Sequence, residues 1–551
     1  MNEVLLAHSQ SKSGRIDTVA DHLRSVAARA AEYASAFGAA DEARLAGMVH
    51  DLGKYGSLFQ QRLEGRAEHV DHWSAGAWHA LTFQAKGLAA ALAVQGHHIG
   101  LQWAEKADLA KLNPAKWDPK MHEQRRLSET SVDALLQRFD ADGLTAVATA
   151  SSLYDHADKR VSAMLDVRML FSTLVDADFI ETEAHFNAIG NEKLYRAPGP
   201  VLEPVKALEL LLSHAGKLAQ GPNVAADVKS LRSDLLRACL QAAPGPQDLF
   251  TLTAPTGAGK TLSMLAFALM HAAKHNLRRI VMVIPYLSII EQTAQVYRGI
   301  FESSFGSGYV LEHHSLAGTR GKDDSEDVSQ DRQRELSENW DAPIVVTTSV
   351  QFLESLFANR PSACRKLHRL AQSVVLFDEV QTLPTGLVIP TLAALSRLSE
   401  RYRATVVFAT ATQPAFSHLH EKVKQNCECG WQPREIVPAE FKLFDRARRT
   451  RIEWPDPGTP TPWLELADRL ADAGNGQALC VVNLKRHALL LFQKLRELGV
   501  PDMELFHLST SMCPEHRQAV LAEVRRLLAV GKPCRLISTQ CVEAVLNLTL
   551  F

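Results

Sequence analysis

Leu249-Phe-Thr-Leu-Thr-Ala-Pro-Thr-Gly-Ala-Gly-Lys-Thr261 decides how most of this chain folds. Residues 249–253 read as a buried strand, and the apolar stretch after Thr261 reads as a helix. Between them Ala254, Pro255, Thr256, Gly257, Ala258 and Gly259 form a tight turn. The glycines let backbone amides close around phosphate oxygens at a helix N-terminus. Lys260 then reaches the β and γ phosphates, and Thr261 is placed to hold a magnesium ion. The cofactor implied is ATP with Mg2+. Ala254 stands where the general pattern has its first glycine.

Downstream, short apolar runs alternate with helical stretches. Arg279–Ile284, Ile344–Thr347, Ser373–Phe377 and Thr405–Ala409 read as further buried parallel strands. Strands alternating with helices predict a doubly wound α/β sheet. Asp378-Glu-Val-Gln381 closes one of these strands, 118 residues beyond Lys260. An acidic pair there suits magnesium and water: Asp378 holds the ion through its shell and Glu379 polarises the attacking water. Thr410-Ala-Thr412 closes another strand, and its hydroxyls are placed to sense the γ-phosphate. A second set of strands begins after about residue 450, with Ala478–Val482 and Cys534–Ser538. Arg446, Arg448, Arg449 and Arg451 form a local basic run, more in keeping with a solvated surface than with a nucleic-acid contact.

Upstream, residues 18 to about 185 read as helix after helix, with Val161, Leu165, Leu170 and Leu174 at helical spacing. Three prolines and a glycine between Tyr195 and Pro204 mark a linker. Histidines and aspartates punctuate the helices. His50-Asp51 lies in Val49-His-Asp-Leu-Gly-Lys54; His22 precedes it; His72, His97-His98 and an aspartate near Ala177 follow. Adjacent His and Asp can give an imidazole nitrogen and a carboxylate to one pair of metal ions. Ligands of this kind without thiolates favour two divalent transition ions of the iron, manganese, nickel or cobalt class. Lys54 is placed to contact phosphate. His8, His69 and His79 receive no role.

The 551 residues carry a formal net charge of -2, so no global basic field points to nucleic acid. The composition, 46% hydrophobic and 22% charged, is that of a globular chain with ample core material. No stretch approaches the ~18 apolar residues of a membrane span. The eight cysteines are dispersed, which fits a reducing, cytoplasmic setting. Only Cys427 and Cys429 lie close together, and one such pair without a second does not make a zinc site.

The nucleotide motifs resemble those of helicase superfamily 2, whose motor is two RecA-like domains with ATP and the strand between them. The order His22, His50-Asp51, His72, His97-His98, Asp178 resembles the two-metal form of the HD phosphohydrolase superfamily. Asp178 is preferred over Asp176 because Ala-Asp-aromatic resembles that family's last ligand. The two in this order resemble the CRISPR-associated helicase–nuclease of type I interference. Ile284–Thr293, with Pro285 and Gln292, looks like that family's strand-contacting motif. Glu312–Ser315, Val346–Phe357, with Thr347 and Thr348, and Phe506–Pro514 look like further family segments. Gln381, where many relatives carry histidine, and the compact form suggest subtype I-C.

The resemblance implies an all-α HD domain over residues 1–205, with its linker. A first RecA-like domain over 206–445 and a second, incomplete one over 446–551 follow. It implies catalytic roles for Asp51, Lys54 and Glu379, and coupling or DNA contact at Pro285, Gln292, Thr347, Thr348, Thr410 and Thr412. Its partners would be single-stranded DNA and the guide-RNA surveillance complex, Cascade, with the motor moving 3′ to 5′. The sequence departs from the family after Ser538–Ala544: Val545–Phe551 lacks the expected glycine and acidic residue, and the arginine-rich motif is missing. That reads as a truncated or frameshifted product with an impaired motor. The competing readings are an HD nucleotide phosphohydrolase with an ATP-binding regulatory domain, and a non-catalytic ATP-binding DNA adaptor.

Overall fold

The computed structural model describes residues 4–148, 153, 159–220, 225–285, 287–314, 327–448, 450–456, 458–474 and 476–542. Arg449, Ser315 and residues 543–551, which include Val545–Phe551, therefore lie outside the described residues. The chain folds as two compact units. One holds residues 1–254, 260–285 and 293–441; the other holds 255–259, 286–292 and 442–551.

The first unit opens with the helical region. Helices α1 (Val19–Ser35), α2 (Ala40–Val49), α3 (Ala85–Ile99) and α4 (Arg160–Phe186) enclose an alanine- and leucine-rich core. Thr18 caps α1 by accepting the Asp21 amide, which satisfies one of the unpaired donors of the first turn. Helix is less continuous than the sequence predicts. Residues 100–131 hold only one five-residue helix, two 3-10 turns and a two-residue strand. That strand, Arg126–Leu127, pairs in parallel with Val70–Asp71, so the domain is not purely α.

The sequence then builds β1 (Leu249–Thr253), α5 (Lys260–His275), β2 (Arg279–Ile284), β3 (Val310–His313), β4 (Ile344–Thr348), β5 (Ser373–Asp378), β6 (Thr405–Thr410) and β7 (Arg434–Glu435). They form one parallel sheet in the order β3-β4-β2-β5-β6-β1-β7. The five strands expected from the sequence form its central part. The two edges, β3 and β7, were not anticipated, because short strands with charged residues carry no apolar run. Pro204, at the first turn of helix Pro204–Ala219, ends the irregular linker where its fixed φ suits a helix start.

Helix α4 joins the helical region to the sheet. Its residues are buried almost continuously from Leu165 to Ala177, because both of its faces are covered. Its polar residues are paired across that junction. Arg397 Nη2 lies 2.6 Å from Asp166, which also accepts from the Tyr402 hydroxyl at 2.7 Å. Arg365 donates to Asp176 at 3.0 Å. Ser172 donates to the Cys364 carbonyl.

In the second unit β8 (Gln477–Val481), β9 (Leu505–Leu508) and β10 (Cys534–Ser538) form a parallel sheet in the order β8-β10-β9. Among the described residues no helix is long and apolar enough to cross a membrane.

Candidate metal centre and nucleotide site

Helix α2 ends at Val49, and the chain turns into a 3-10 segment, Leu52–Tyr55. His50 and Asp51 occupy the corner. Gly53 makes the corner possible: its amide donates to the His72 carbonyl at 3.0 Å, and a Cβ there would sit 2.5 Å from that oxygen. This contact also brings His72 to the site. His97 and His98 come from the last turn of α3, His22 from the first turn of α1, and Asp178 from the middle of α4.

The result is a carboxylate with a cluster on each side. Asp51 Oδ2 lies 3.3 Å from His22 Nε2 and 3.2 Å from His50 Nε2. Asp178 Oδ1 lies 3.5 and 3.7 Å from the same two nitrogens. Asp51 Oδ1 faces His72, His97 and His98, at 3.4, 3.3 and 3.9 Å from their Nε2 atoms. The ligand atoms of His22, His50, Asp51 and Asp178 all lie within 4.8 Å of one another, as do those of Asp51, His97 and His98. The seven residues expected from the sequence are thus brought together. Asp176, the alternative to Asp178, points away, into its pair with Arg365 and a hydrogen bond from Asn339.

The tautomers argue for cations. His50 Nδ1 donates to the Gly47 carbonyl at 2.8 Å, and His97 Nδ1 to the Val94 carbonyl at 2.6 Å. Each of these protons is spent on a carbonyl of the preceding turn, so the neutral ring has its lone pair on Nε2. In the neutral ring that lone pair faces carboxylate oxygens, acceptor against acceptor, unless an ion or a second proton lies between them. His97 Nε2 and Asp51 Oδ1 are buried and make no hydrogen bond. A buried polar atom without a partner costs about 1–3 kcal/mol, so the arrangement calls for positive charge between the acceptors. The residues present fit two divalent ions that share Asp51.

The protonation pattern agrees. Burial, and then the nearby Lys54, push His22 down to about 4. Burial lowers His72 to about 3, and burial with the His97 and His72 rings holds His98 well below its usual value. These rings are neutral, the form that binds metal. Burial also opposes charge on His50, but Asp51 and Asp178 outweigh it and raise the ring to about 10. A proton there stands in for a cation. Lys54 lies 2.7 Å from Asp51 Oδ2 and is almost fully buried. The centre opens into a cavity of about 760 Å³ lined in part by Phe59, Arg62, Phe179 and Phe186.

His8, given no role from the sequence, lines the same cavity, with Nε2 3.4 Å from His22 Nδ1. Nothing in the local spacing reveals this, because His8 precedes the first helix and reaches the site only by tertiary packing. His69 and His79 lie outside the two ligand clusters. Cys427 lies with Glu400 and Glu428 in a separate cluster, but Glu428 already accepts from the Lys159 amide and the Ser162 hydroxyl.

At the nucleotide motifs, β1 runs into the turn 255–259, where Gly257 and Gly259 take φ of 78° and 82°, a conformation that favours glycine. Lys260 begins α5, and its Nζ lies 3.5 Å from Glu379. Asp378 ends β5 beside it. Burial raises Asp378 to about 6, against the opposing pull of Lys260. Glu379 sits at φ 52°, a strained setting for a non-glycine residue. Thr410 Oγ1 donates to Gln381 Oε1 at 2.7 Å, and Gln381 Nε2 donates to Glu379 at 2.7 Å. The Thr412 amide donates to Thr410 Oγ1. A hydrogen-bonded chain therefore links the Thr410 strand end to the acidic pair.

The residues expected from the sequence to couple or contact DNA are more dispersed. Thr347 is fully buried and donates to the His313 carbonyl, and Thr348 caps helix Ser349–Phe357. Pro285 follows β2, and Gln292 is exposed on helix Leu287–Phe305.

Comparison with known proteins agrees with this architecture. Residues 19–142 match the HD domain family and residues 236–419 the DEAD/DEAH box helicase family. The class is thus an HD domain joined to a helicase domain. A 230-residue stretch is 32% identical to the CRISPR-associated nuclease/helicase Cas3 of Haloferax volcanii, covering 36% of this chain and 24% of that relative. The fold matches T. fusca Cas3 in its ATP form, with TM-score 0.66 and 18% identity over all of this chain and 70% of that one. It also matches a further CRISPR-associated protein, with TM-score 0.59 and 16% identity over 98% of this chain and 68% of that one. The chain is thus similar to Cas3 proteins over the matched regions, and its matched stretch spans about a quarter of the length of the curated relative.

Proposed function

We propose that the chain is a metal-dependent nuclease for single-stranded DNA, coupled to an ATP-driven motor that moves 3′ to 5′, serving type I CRISPR interference beside a guide-RNA surveillance complex. The observation that carries the nuclease half is Asp51, set between two clusters of imidazole nitrogens, with its Oδ1 and the facing His97 Nε2 buried and without a hydrogen bond. Of the two ions, one would be held by His22, His50, Asp51 and Asp178, the other by Asp51, His72, His97 and His98. When bound, such a pair supplies a nucleophilic water near neutral pH and neutralises charge on the phosphodiester.

The chain's own residues do the rest. Asp51 fixes the spacing of the two half-sites. Lys54, already at the centre, is positioned to meet a non-bridging phosphate oxygen. The cavity is large enough for about one nucleotide unit, and Phe179 and Phe186 offer exposed rings on which bases can stack. On the motor side, Lys260 and Thr261 would take the phosphates and Mg2+. Asp378 would hold the ion's water shell and Glu379 would orient the attacking water. Gln381 and Thr410 tie Glu379 to the neighbouring strand end, so that the position of the carboxylate is felt there.

The test is cleavage of single-stranded DNA with Mn2+, Ni2+ or Co2+, set beside a panel of mononucleotides and cyclic nucleotides. Preferential cutting of DNA, lost on chelation, is expected. Hydrolysis of nucleotides with DNA left intact would favour the nucleotide phosphohydrolase instead.

A further inference from the structure

To hold an ion beside Asp51 and Asp178, His22 must present a bare Nε2, which places its proton on Nδ1. That proton needs a buried acceptor. Two atoms face it. His8 Nε2 is 3.4 Å away, with the two rings edge to face. Asp17 Oδ2 is 3.9 Å away, fully buried, and accepts no other hydrogen bond. The other oxygen of Asp17 is engaged, by Arg15 at 3.0 Å and Lys193 at 3.7 Å.

Both acceptors are held firmly. The Val19 amide donates to the Leu5 carbonyl and the Ala7 amide to the Asp17 carbonyl, which straps the N-terminal segment to the start of α1. Arg15 can only donate, so His185 Nδ1 accepts its Nη1 proton at 2.9 Å. The remaining His185 proton lies on Nε2 and goes to the Ser9 carbonyl at 2.9 Å. His8 stacks on the same His185 ring, 5.5 Å between centroids.

We infer that His8 and Asp17 are positioning residues for the metal centre: they share the Nδ1 proton of His22 and so keep its Nε2 free for the ion on the His22, His50 and Asp178 side. The inference rests on the two-ion reading above. Outer partners of ligating histidines typically contribute 10–100-fold in metal affinity. His8 and Asp17 serve one half-site only, since His72, His97 and His98 lie on the far side of Asp51.

The experiment is calorimetric titration of the metal-stripped full chain with Mn2+, with bound metal counted by elemental analysis. His8→Phe keeps the ring against His185 but deletes the acceptor; Asp17→Asn keeps the shape and removes the charge. Each is expected to weaken one ion about tenfold or more and to leave the other at its parental affinity. His8→Gln, whose amide oxygen can accept, is expected to restore binding. The inference is overturned if His8→Phe binds both ions as the parent does, if both ions weaken equally, or if His8→Gln falls as far as His8→Phe. Should Asp17→Asn fail to fold through loss of its Arg15 and Lys193 contacts, the two His8 variants decide alone. A parent chain that takes up fewer than two ions overturns the two-ion reading itself, a different result from a parent with two ions and insensitive variants.

Discussion

Asp51→Asn should empty the metal centre while leaving the fold in place. The substitution is nearly isosteric, so the 3-10 corner and the Gly53–His72 contact survive. What changes is charge and donor pattern. Asp51 and Asp178 are the two carboxylates among the seven candidate ligands, and Asp51 alone faces both clusters. A unit charge pair at ~4 Å is worth about 4 kcal/mol at an effective dielectric of 20, and a divalent ion doubles the charge on one side. Even the lower figure, about 4 kcal/mol, is about a thousandfold in affinity for each ion. The new amide adds a second obstacle, because its NH2 would donate to the Nε2 lone pairs of one cluster and occupy them. Elemental analysis after dialysis against micromolar Mn2+ should therefore find two ions in the parent and fewer than one in the variant. Cleavage of single-stranded DNA should fall below detection. Parental metal content in Asp51→Asn, or parental cutting, would refute the assignment of Asp51 as the shared ligand.

Lys260→Ala should weaken ATP binding, read by titration of a fluorescent nucleotide; equal affinity in parent and variant would remove Lys260 from the phosphate site. Asp378, raised to about 6, is protonated below that value, and Mg2+ must displace the proton. Mg2+-dependent nucleotide binding should be full at pH 7 and fall about tenfold per pH unit below about 6, with Asp378→Asn weak and flat across the range. The sign for stability is the opposite: a carboxyl with a raised folded value contributes most when protonated, and loses that contribution as pH rises from about 4 through 6. Arg365→Met strands the fully buried Asp176 with only the Asn339 hydrogen bond, and should destabilise the first unit by about 3–5 kcal/mol. Thermal melting of metal-free protein checks this, and an unchanged midpoint would mean that the pair is not integral to the α4 junction.

The sequence by itself made the phosphate loop and the central strands legible. A strand, glycine turn and helix in direct succession leave few alternatives to a phosphate loop, because apolar periodicity and turn stereochemistry are local properties. The central strands of the larger sheet follow for the same reason. The histidines and aspartates were legible as a candidate ligand set because their types, not their positions, carry the metal chemistry. The tertiary structure alone decided how they meet. Asp176 and Asp178 are two residues apart on one helix, about 200° around its axis, so that only one can face the metal ligands. Which one does so depends on the packing of α4, with Asp178 toward His22 and His50 and Asp176 toward Arg365. The continuous burial of that helix was likewise hidden, since two covered faces erase the amphipathic pattern that marks a helix with one. His8 and Asp17 reach His22 through hydrogen bonds between the N-terminal segment, Gln60 and His185, contacts separated by up to 176 residues along the chain. No local pattern encodes such long-range contacts; only the folded chain brings those side chains together.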